Sequence, residues 1–263
     1  MSEKTKRIQL VIPMAGLGSR FSEAGYALPK PLLPIHGVPM YKVVIANLMH
    51  ESVTSITIIC PKKWGLGESI RSLSAPLGVP VHVVEIDYIT QGPAQTVMLA
   101  EPFLDPNLPV VTANSDQYLE AELDDFYASI TEPAISGGIL CMEDSDPKWS
   151  YVKLSNDGLV AEVREKVVIS QLATVGVYGF KTAALMLAGF RQMLDANDTA
   201  LGEYYVAPSY VYLIRQGHAI AATNLGPVGK IMHGLGVPAD YELFLKVPAS
   251  EPAKHKALAL MPD

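Results

Sequence analysis

The sequence predicts an α/β protein with a Rossmann-like, mixed but mostly parallel sheet, helices on both faces and a smaller second lobe. Three observations support this fold class. Short β-rich apolar runs alternate with segments of helical periodicity in the first half. Closely spaced strand patterns follow in the second half. The chain has 263 residues, 49% of them hydrophobic, which is enough for one substantial core.

The first half predicts a βαβα order, which implies parallel strands with crossover helices. Predicted strands cover residues 8–13, 55–60, 81–86 and 108–116. Predicted helices cover residues 40–49 and 93–103. The strand at 108–116 runs into polar residues at its end, which is where open α/β sheets bind ligands.

The second half predicts strands at 134–142, 150–165 and 173–180, with a turn at 155–158 dividing the second of them. Helices are expected near 181–194 and 203–216, the latter ended by Gly217, and a last helix after Pro238. We expect a single domain over 1–263. Its lobes are about 1–130 and about 131–248, and a loosely held tail follows at 249–263.

Composition excludes several classes of protein. A net charge of -7 disfavours a nucleic-acid surface. No apolar run is long enough to span a membrane, and the N-terminal segment lacks a signal-peptide pattern, so a cytoplasmic protein is expected. Cys60 and Cys141 are expected to be buried free thiols.

A glycine loop follows the first strand in the sequence VIPMAGLGSRFSEAGYALPKP (11–31). The P-loop pattern is absent, and a dinucleotide loop would need a third glycine where Phe21 stands, before a proline-rich segment. The remaining phosphate chemistry is a loop that wraps a nucleoside triphosphate and adds the cations Arg20 and Lys30. The alternative is a plain tight turn with a solvated arginine.

A carboxylate, Asp116, stands at the end of the strand predicted for 108–116. A hard carboxylate at this edge suits Mg²⁺ bridging phosphate oxygens. The alternative interpretation is a turn aspartate or the cap of a following helix.

The stretches MAGLGSRF and PKPLLPI resemble the signature of the sugar-phosphate nucleotidyltransferases, which include the nucleoside-diphosphate-sugar pyrophosphorylases. Five further stretches resemble family motifs in the same order: TQGPA (90–94), NSD (114–116), EK (165–166), ATVG (173–176) and GEYY (202–205). The resemblance implies transfer of a nucleotide from an NTP to a phosphorylated acceptor with release of pyrophosphate. It also implies Mg²⁺ as cofactor, and a product that serves as an activated precursor of surface polysaccharide.

The resemblance implies a role for each matching residue. The catalytic residues it implies are Arg20, Lys30 and Lys166. The nucleotide-binding residues it implies are Ala15, Gly16, Leu17, Gly18, Ser19, Arg20, Lys30, Thr90, Gln91, Gly92, Ala94 and Ser115. The acceptor-binding residues it implies are Asp116, Tyr151, Glu165, Lys166, Val175, Gly176 and Glu203, in the smaller, acceptor-binding lobe and beside it. Asp116 is also the implied metal ligand.

The sequence departs from the family beside the metal and on the acceptor side. Many members carry W-x-D-x-G-T-P, whereas this chain has MHGLGVP (232–238), with Gly234 at the position of a second metal aspartate. Ser115 replaces a frequent glycine, and Val152 replaces another. These differences leave the acceptor open between a sugar 1-phosphate and a phosphorylated small alcohol or amide, as in cytidylyltransferase relatives.

Two other classes stay as alternatives. A nucleotide-binding regulatory module could keep the loop and lose turnover with the second carboxylate. A nicotinamide-dependent oxidoreductase is disfavoured by Phe21 and by the absence of an acidic residue at the end of the second strand. The base (CTP, UTP, GTP or dTTP) and the oligomeric state, a homo-oligomer included, are left open by the sequence.

Overall fold

The computed structural model describes residues 7–229 and 231–262 and confirms the mixed α/β prediction. Residues 1–6, the start of the predicted first lobe, lie outside the described residues. The strands are β1 (Ile8–Pro13), β2 (Pro34–Ile35), β3 (Val38–Pro39), β4 (Val53–Pro61), β5 (Val81–Ile86), β6 (Val110–Ala113), β7 (Gln117–Leu119), β8 (Gly137–Glu143), β9 (Ser150–Leu154), β10 (Val160–Glu165), β11 (Leu172–Phe180), β12 (Ile220–Pro227) and β13 (Met232–Gly234). The α-helices are α1 (Ser19–Glu23), α2 (Met40–Leu48), α3 (Gly67–Arg71), α4 (Ser74–Leu77), α5 (Pro93–Met98), α6 (Asp124–Ser129), α7 (Ala183–Asp195), α8 (Tyr210–Arg215), α9 (Pro238–Phe244) and α10 (Ser250–Leu260).

A nine-stranded sheet forms the centre of the protein, in the order β10-β9-β11-β6-β1-β4-β5, with β8 pairing β11 and β12. Strands β6, β1, β4 and β5 are mutually parallel. Strand β11 runs antiparallel to β6 and begins the second half of the sheet. The carboxyl ends of β1, β5 and β6 therefore lie along one edge, next to the antiparallel half.

Strand β1 shows why the first half is parallel and buried. Its residues Leu10 and Val11 are fully buried on opposite faces of the sheet. Leu10 belongs to the hydrophobic cluster that contains Val44 of α2, and Val11 to the cluster that contains Val97 of α5. A strand covered on both faces is a near-continuous apolar run, as its sequence predicts. The prediction of helices on both faces is confirmed.

The helix predicted over 203–216 is shorter than expected. It comprises a single 3₁₀ turn, Ala207–Ser209, and then α8. Residues before it do not continue the helix, because both backbone polar groups of Tyr204 bond outside the segment. Its N–H donates to the carbonyl of Gln91 and its carbonyl accepts from the N–H of Ala94. Strands β12 and β13 were not predicted from the sequence.

The expectation of a loosely held tail is wrong. Residues 250–260 form α10, which packs against α2. Ala253, Ala257 and Met261 are spaced four residues apart and are buried. The ring Nε2 of His36 also lies 2.8 Å from the hydroxyl of Ser250. The helix expected after Pro238 is α9, but α10 follows it.

The two cysteines are buried free thiols, as predicted. Burial raises the pKa of the Cys60 thiol to about 11, so it is protonated and unreactive at neutral pH. Across the described ranges, no helix combines the length and apolar character needed to cross a membrane.

Candidate functional site

A cleft of about 510 Å³ opens at the carboxyl ends of β1 and β6. Most of the residues predicted for the nucleotide lie along it. The predicted residues that line the cleft are Ala15, Gly16, Leu17, Gly18, Ser19, Arg20, Lys30, Thr90, Gly92, Ser115, Asp116 and Glu203. The fold therefore brings the glycine loop, the TQGPA turn, the strand-end aspartate and the GEYY stretch to one place.

The glycine loop ends in a short helix rather than in the expected proline-rich loop alone. Gly18 has a φ of 63° and stands at the N-cap of α1, which begins at Ser19. Phe21 is buried against the rings of Tyr26 and Tyr241. The side chain that breaks the dinucleotide pattern is thus a core residue, which explains why a glycine does not stand there.

Lys30 is held close to the loop and to Asp116. It begins a 3₁₀ turn between two prolines, which restrict its backbone. Its side chain is largely buried, and its ammonium nitrogen lies 2.7 Å from Asp116 Oδ2. The alternative of Asp116 as a helix cap is wrong, because strand β7 follows it directly. Arg20 is exposed on the cleft wall, and no carboxylate pairs with it within the described part of the chain.

The surroundings of Asp116 fit a Mg²⁺ ion that shares its ligands with a substrate. The Lys30 ammonium shows that a cation is accommodated at this carboxylate. Residues 7–229 and 231–262 contain no cluster of three or more acidic, histidine or cysteine side chains suited to a metal. Mg²⁺ is commonly held by one or two carboxylates plus substrate phosphates, so Asp116 alone meets the protein's share.

Two glycines of MHGLGVP pack against carboxylates. A Cβ at Gly236 would come within 2.9 Å of Asp116 Oδ2, and one at Gly234 within 3.0 Å of Asp240 Oδ2. Asp240 lies in the first turn of α9, whose N-cap is Val237. Its carboxylate covers the position at which many family members carry an aspartate.

The glycine of the TQGPA turn has a structural cause. Gly92 has a φ of 125°, and a Cβ there would lie 2.6 Å from the backbone nitrogen of Tyr204. The flanking hydrogen bonds of Gln91 and Ala94 to Tyr204 measure 2.8 and 3.0 Å. Gln91 and Ala94 do not line the cleft; they fasten this turn to the GEYY stretch instead.

Lys166 adopts a left-handed backbone conformation, with a φ of 55°. This conformation costs a residue with a Cβ about 1–2 kcal/mol, and such strain is concentrated at functional sites. The Lys166 ammonium donates to the hydroxyl of Tyr205 at 2.8 Å and lies over its ring. Tyr205 lines the cleft, so Lys166 lies behind the cleft wall and contacts one of its residues.

Glu165 is largely buried beside Lys166 and accepts a hydrogen bond from the Ser150 hydroxyl. Burial raises the pKa of its carboxyl group, while Ser150 and the Lys166 charge act in the opposite direction. Glu165 lines a second cavity of about 400 Å³, next to Val167 and α8. The Glu165–Lys166 pair therefore lies between this second cavity and the main cleft.

Of the predicted acceptor residues, Asp116 and Glu203 line the main cleft, whereas Tyr151, Val175 and Gly176 do not. Tyr151 is fully buried, and its hydroxyl donates to the Asp146 carbonyl at 2.7 Å. Val175 is buried as well. Gly176 has a φ of 75°, and a Cβ there would overlap the Asn114 side chain and lie 2.8 Å from Gln117 Oε1.

Three residues of interest were not predicted. Tyr205 belongs to the GEYY stretch, but its contact with Lys166 depends on the fold and has no signal in the sequence. Ile89 lines the cleft and is strongly exposed, which its sequence position does not reveal. Gln117 is buried directly after Asp116, and its Nε2 has no partner among the described residues. Such an orphan donor arises from tertiary packing, so no sequence signal could have identified it.

Comparison with known proteins agrees with this geometry. The family model described as nucleotidyl transferase matches residues 10–207. A CMP-5'-(3-aminopropyl)phosphonate synthase of Streptomyces rubellomurinus (strain ATCC 31215) is 32% identical over 104 residues, which make up 38% of this chain and 16% of that protein. This chain thus matches about a sixth of that relative's length.

Solved structures share the whole fold. A nucleoside-diphosphate-sugar pyrophosphorylase from Vibrio cholerae RC9 superposes with a TM-score of 0.79 at 26% identity, over 90% of this chain and 100% of that one. The inositol-1-phosphate CTP transferase from T. maritima superposes with a TM-score of 0.73, over 98% of each chain. Its 16% identity shows the shared fold alone. The family model covers well over half of the sequence, and the chain therefore belongs to the nucleotidyl transferase family.

Proposed function

We propose that this protein is a Mg²⁺-dependent enzyme that joins an NTP to a small phosphorylated acceptor, a sugar 1-phosphate or a similar phosphate, and releases pyrophosphate. The observation that carries the proposal is the pairing of Lys30 with Asp116 inside the cleft that the glycine loop lines. A cation and a hard carboxylate at one point suit a metal-bound triphosphate. We place the enzyme in the cytoplasm, where it supplies activated precursors of surface polysaccharide.

The reaction follows from charge and position. An oxygen of the acceptor phosphate attacks the α-phosphorus in line, and the bond from that phosphorus to the bridging oxygen breaks. Pyrophosphate leaves with the electron pair. A phosphate is an anionic nucleophile at neutral pH, so no general base is required. Catalysis then consists of holding the two phosphates together and neutralising their charge.

Each cation has a place in this scheme. Arg20 and Lys30 bind the triphosphate beside the glycine loop. Lys166 binds the acceptor phosphate, next to Tyr205. Asp116 would hold the Mg²⁺, which supplies further charge neutralisation at the phosphate oxygens when bound. The hydrogen bonds of Tyr204 with Gln91 and Ala94 fix the position of the nucleotide side relative to the acceptor side.

A second candidate is a cytidylyltransferase that acts on a non-sugar phosphorus acceptor. The Streptomyces relative favours it, because its name specifies a CMP-linked aminoalkyl phosphonate. The replacement of the family's second metal aspartate by Gly234 also changes the surroundings of the metal, beside which the acceptor phosphate would bind.

Pyrophosphate release tests the proposal. The assay combines CTP, UTP, GTP or dTTP with glucose 1-phosphate, inositol 1-phosphate or 3-aminopropylphosphonate, with and without Mg²⁺. We expect release that needs Mg²⁺, one preferred NTP and one preferred acceptor. An NTP that binds by calorimetry, but yields no pyrophosphate with any acceptor, would contradict the proposal and favour the regulatory module.

A further inference from the structure

We infer that Tyr241 of α9 is a positioning residue, which holds Arg20 and Lys30 where they meet the triphosphate. The inference rests on the proposed function, since it requires that these two cations bind an NTP. It gives α9 a role in substrate binding, although the described residues 238–244 of this helix do not line the cleft.

The segment that carries the two cations has little regular structure of its own. Arg20 lies in α1, a helix of five residues, and Lys30 begins a 3₁₀ turn of three residues. Helices this short are marginal in water when nothing packs against them. The positions of both cations therefore depend on the parts of the protein that contact this segment.

The ring of Tyr241 packs beside Arg20. Its centroid lies 6.0 Å from the centroids of Phe21 and Tyr26, and all three rings meet edge to face. Phe21 directly follows Arg20 in α1, and Phe21 and Tyr241 are both buried. The hydroxyl of Tyr26 also donates to Glu242 Oε1 at 2.8 Å. Edge-to-face aromatic pairs stabilise beyond the area that they bury, so this cluster fixes α1 against α9.

The hydroxyl of Tyr241 acts at the other end of the same segment. It donates to the carbonyl of Pro34 at 2.7 Å. The neighbouring residue, Leu33, donates its N–H to the carbonyl of Lys30 at 3.1 Å. One tyrosine side chain thus contacts the segment close to Arg20 through its ring and close to Lys30 through its hydroxyl.

The start of α9 is itself fixed beside Asp116. The N–H of Leu235 donates to the carbonyl of Asp116 at 2.8 Å, and Gly236 lines the cleft. Helix α9 begins two residues later. Tyr241 therefore joins the segment of the two cations to the element that adjoins the carboxylate. This arrangement agrees with the 2.7 Å approach of the Lys30 ammonium to Asp116.

Tyr127 is a matched control for a tyrosine whose role is structural alone. It is 1% exposed, and its hydroxyl also donates to a backbone carbonyl, that of Leu48, at 2.7 Å. It lies in α6 and does not line the cleft. Phenylalanine at position 127 or 241 removes one donor from a carbonyl, so each variant should lower Tm by about 2–4 °C.

Calorimetry on the two phenylalanine variants tests the inference. The probe is whichever of CTP, UTP, GTP and dTTP the wild-type protein binds most tightly. We expect Tyr241→Phe to weaken its binding by about fivefold, the equivalent of one hydrogen bond. Tyr241→Leu, which also removes the ring, should weaken binding further. Tyr127→Phe should change the affinity by less than about twofold, despite a similar loss in Tm.

A double-mutant cycle with Lys30→Ala separates positioning from stability. If the hydroxyl acts through Lys30, Tyr241→Phe should lower kcat/KM for the NTP by about fivefold in the wild-type background but by less than about twofold in Lys30→Ala. The effects of two independent sites would instead multiply.

Three results would overturn the inference while leaving the proposed function intact. Wild-type NTP affinity in Tyr241→Phe would show that the hydroxyl is structural alone. An equal loss of affinity in Tyr127→Phe would show a general loosening of the protein. A full fivefold loss in the Lys30→Ala background would show that the hydroxyl does not act through Lys30. Wild-type protein that binds no NTP at all would instead refute the proposed function.

Discussion

The ammonium of Lys30 and the carboxylate of Asp116 meet at 2.7 Å, although the two residues are 86 positions apart in the chain. The contact joins the segment after the glycine loop to the connection between β6 and β7. Both groups are partly buried, so the pair is less screened than a surface ion pair. In the proposed reaction, the Lys30 ammonium binds the triphosphate and the Asp116 carboxylate binds Mg²⁺.

Replacement of Lys30 tests the cation of this pair. We expect Lys30→Ala to lower kcat/KM by about a hundredfold or more, because loss of one preorganised donor in a transition state costs about 2.7–4 kcal/mol. Arg20→Ala should have a similar effect. Lys63→Ala removes an exposed lysine outside the cleft and should leave the rate within about twofold. Near-normal rates in both site variants would refute the loop assignment.

Replacement of Asp116 tests the proposed metal ligand. Asp116→Asn keeps the size of the side chain but removes the charge that Mg²⁺ requires, so turnover should fall by about a hundredfold. The free energy of unfolding should change by less than about 1 kcal/mol, because the asparagine oxygen can still accept a hydrogen bond from the Lys30 ammonium. A variant that keeps its Mg²⁺-dependent rate would exclude Asp116 as the ligand.

Lys166 separates acceptor use from nucleotide binding. We expect Lys166→Ala to lower kcat/KM for the acceptor by about a hundredfold, while NTP affinity changes by less than about tenfold. Lys166→Gly should lose acceptor use to the same extent. Its free energy of unfolding should be about 1–2 kcal/mol higher than that of Lys166→Ala, because glycine adopts the left-handed backbone conformation without strain. Loss of NTP binding in a folded variant would move this lysine to the nucleotide side.

Gly176 and Gly158 form a matched pair for the packing at β11. Both have positive φ, but a Cβ at Gly158 meets open space and one at Gly176 meets Asn114 and Gln117. Alanine at either position carries the backbone cost, and alanine at Gly176 adds an overpacking cost of about 1–3 kcal/mol. Urea denaturation should therefore show Gly176→Ala to be the less stable variant. Equal losses of stability would contradict this close approach.

Met261 tests the packing of α10. Met261→Ala should reduce the free energy of unfolding by about 2–5 kcal/mol, the usual cost of truncating a buried methionine. Lys256→Ala, on the exposed face of the same helix, should stay within about 0.5 kcal/mol of wild type. A loose tail would give two small and similar changes.

The parallel half of the fold is predictable because its signal is local. Strands β1 and β4 are mainly apolar runs that each end in a proline, and burial on both faces requires an apolar run. Helix α10 gives a weaker signal. Its buried face consists of alanines at four-residue spacing, among lysines and a proline that also suit an exposed tail.

The candidate site also contains residues that the sequence predicts and residues that only the fold brings together. The residues of the glycine loop and Asp116 are recognisable because each follows a strand end in a pattern that few other structures require. The left-handed backbone of Lys166, its contact with Tyr205 and the exposure of Ile89 depend on residues distant in sequence. Gly92 shows the intermediate case. The TQGPA stretch is recognisable in the sequence, but the close approach that requires its glycine is to the backbone of Tyr204.

The central claim, nucleotidyl transfer to a phosphorus acceptor, is tested most directly by following two labels from one reaction. The preferred NTP is labelled with ³²P at the α-position in one sample and at the γ-position in another, and both samples receive the preferred acceptor and Mg²⁺. We expect the α-label in a new nucleotide–acceptor product and the γ-label in pyrophosphate, with about a hundredfold slower product formation by Lys166→Ala at the same enzyme concentration. Release of the γ-label as orthophosphate, or an α-label that stays in free nucleotide, would contradict the account.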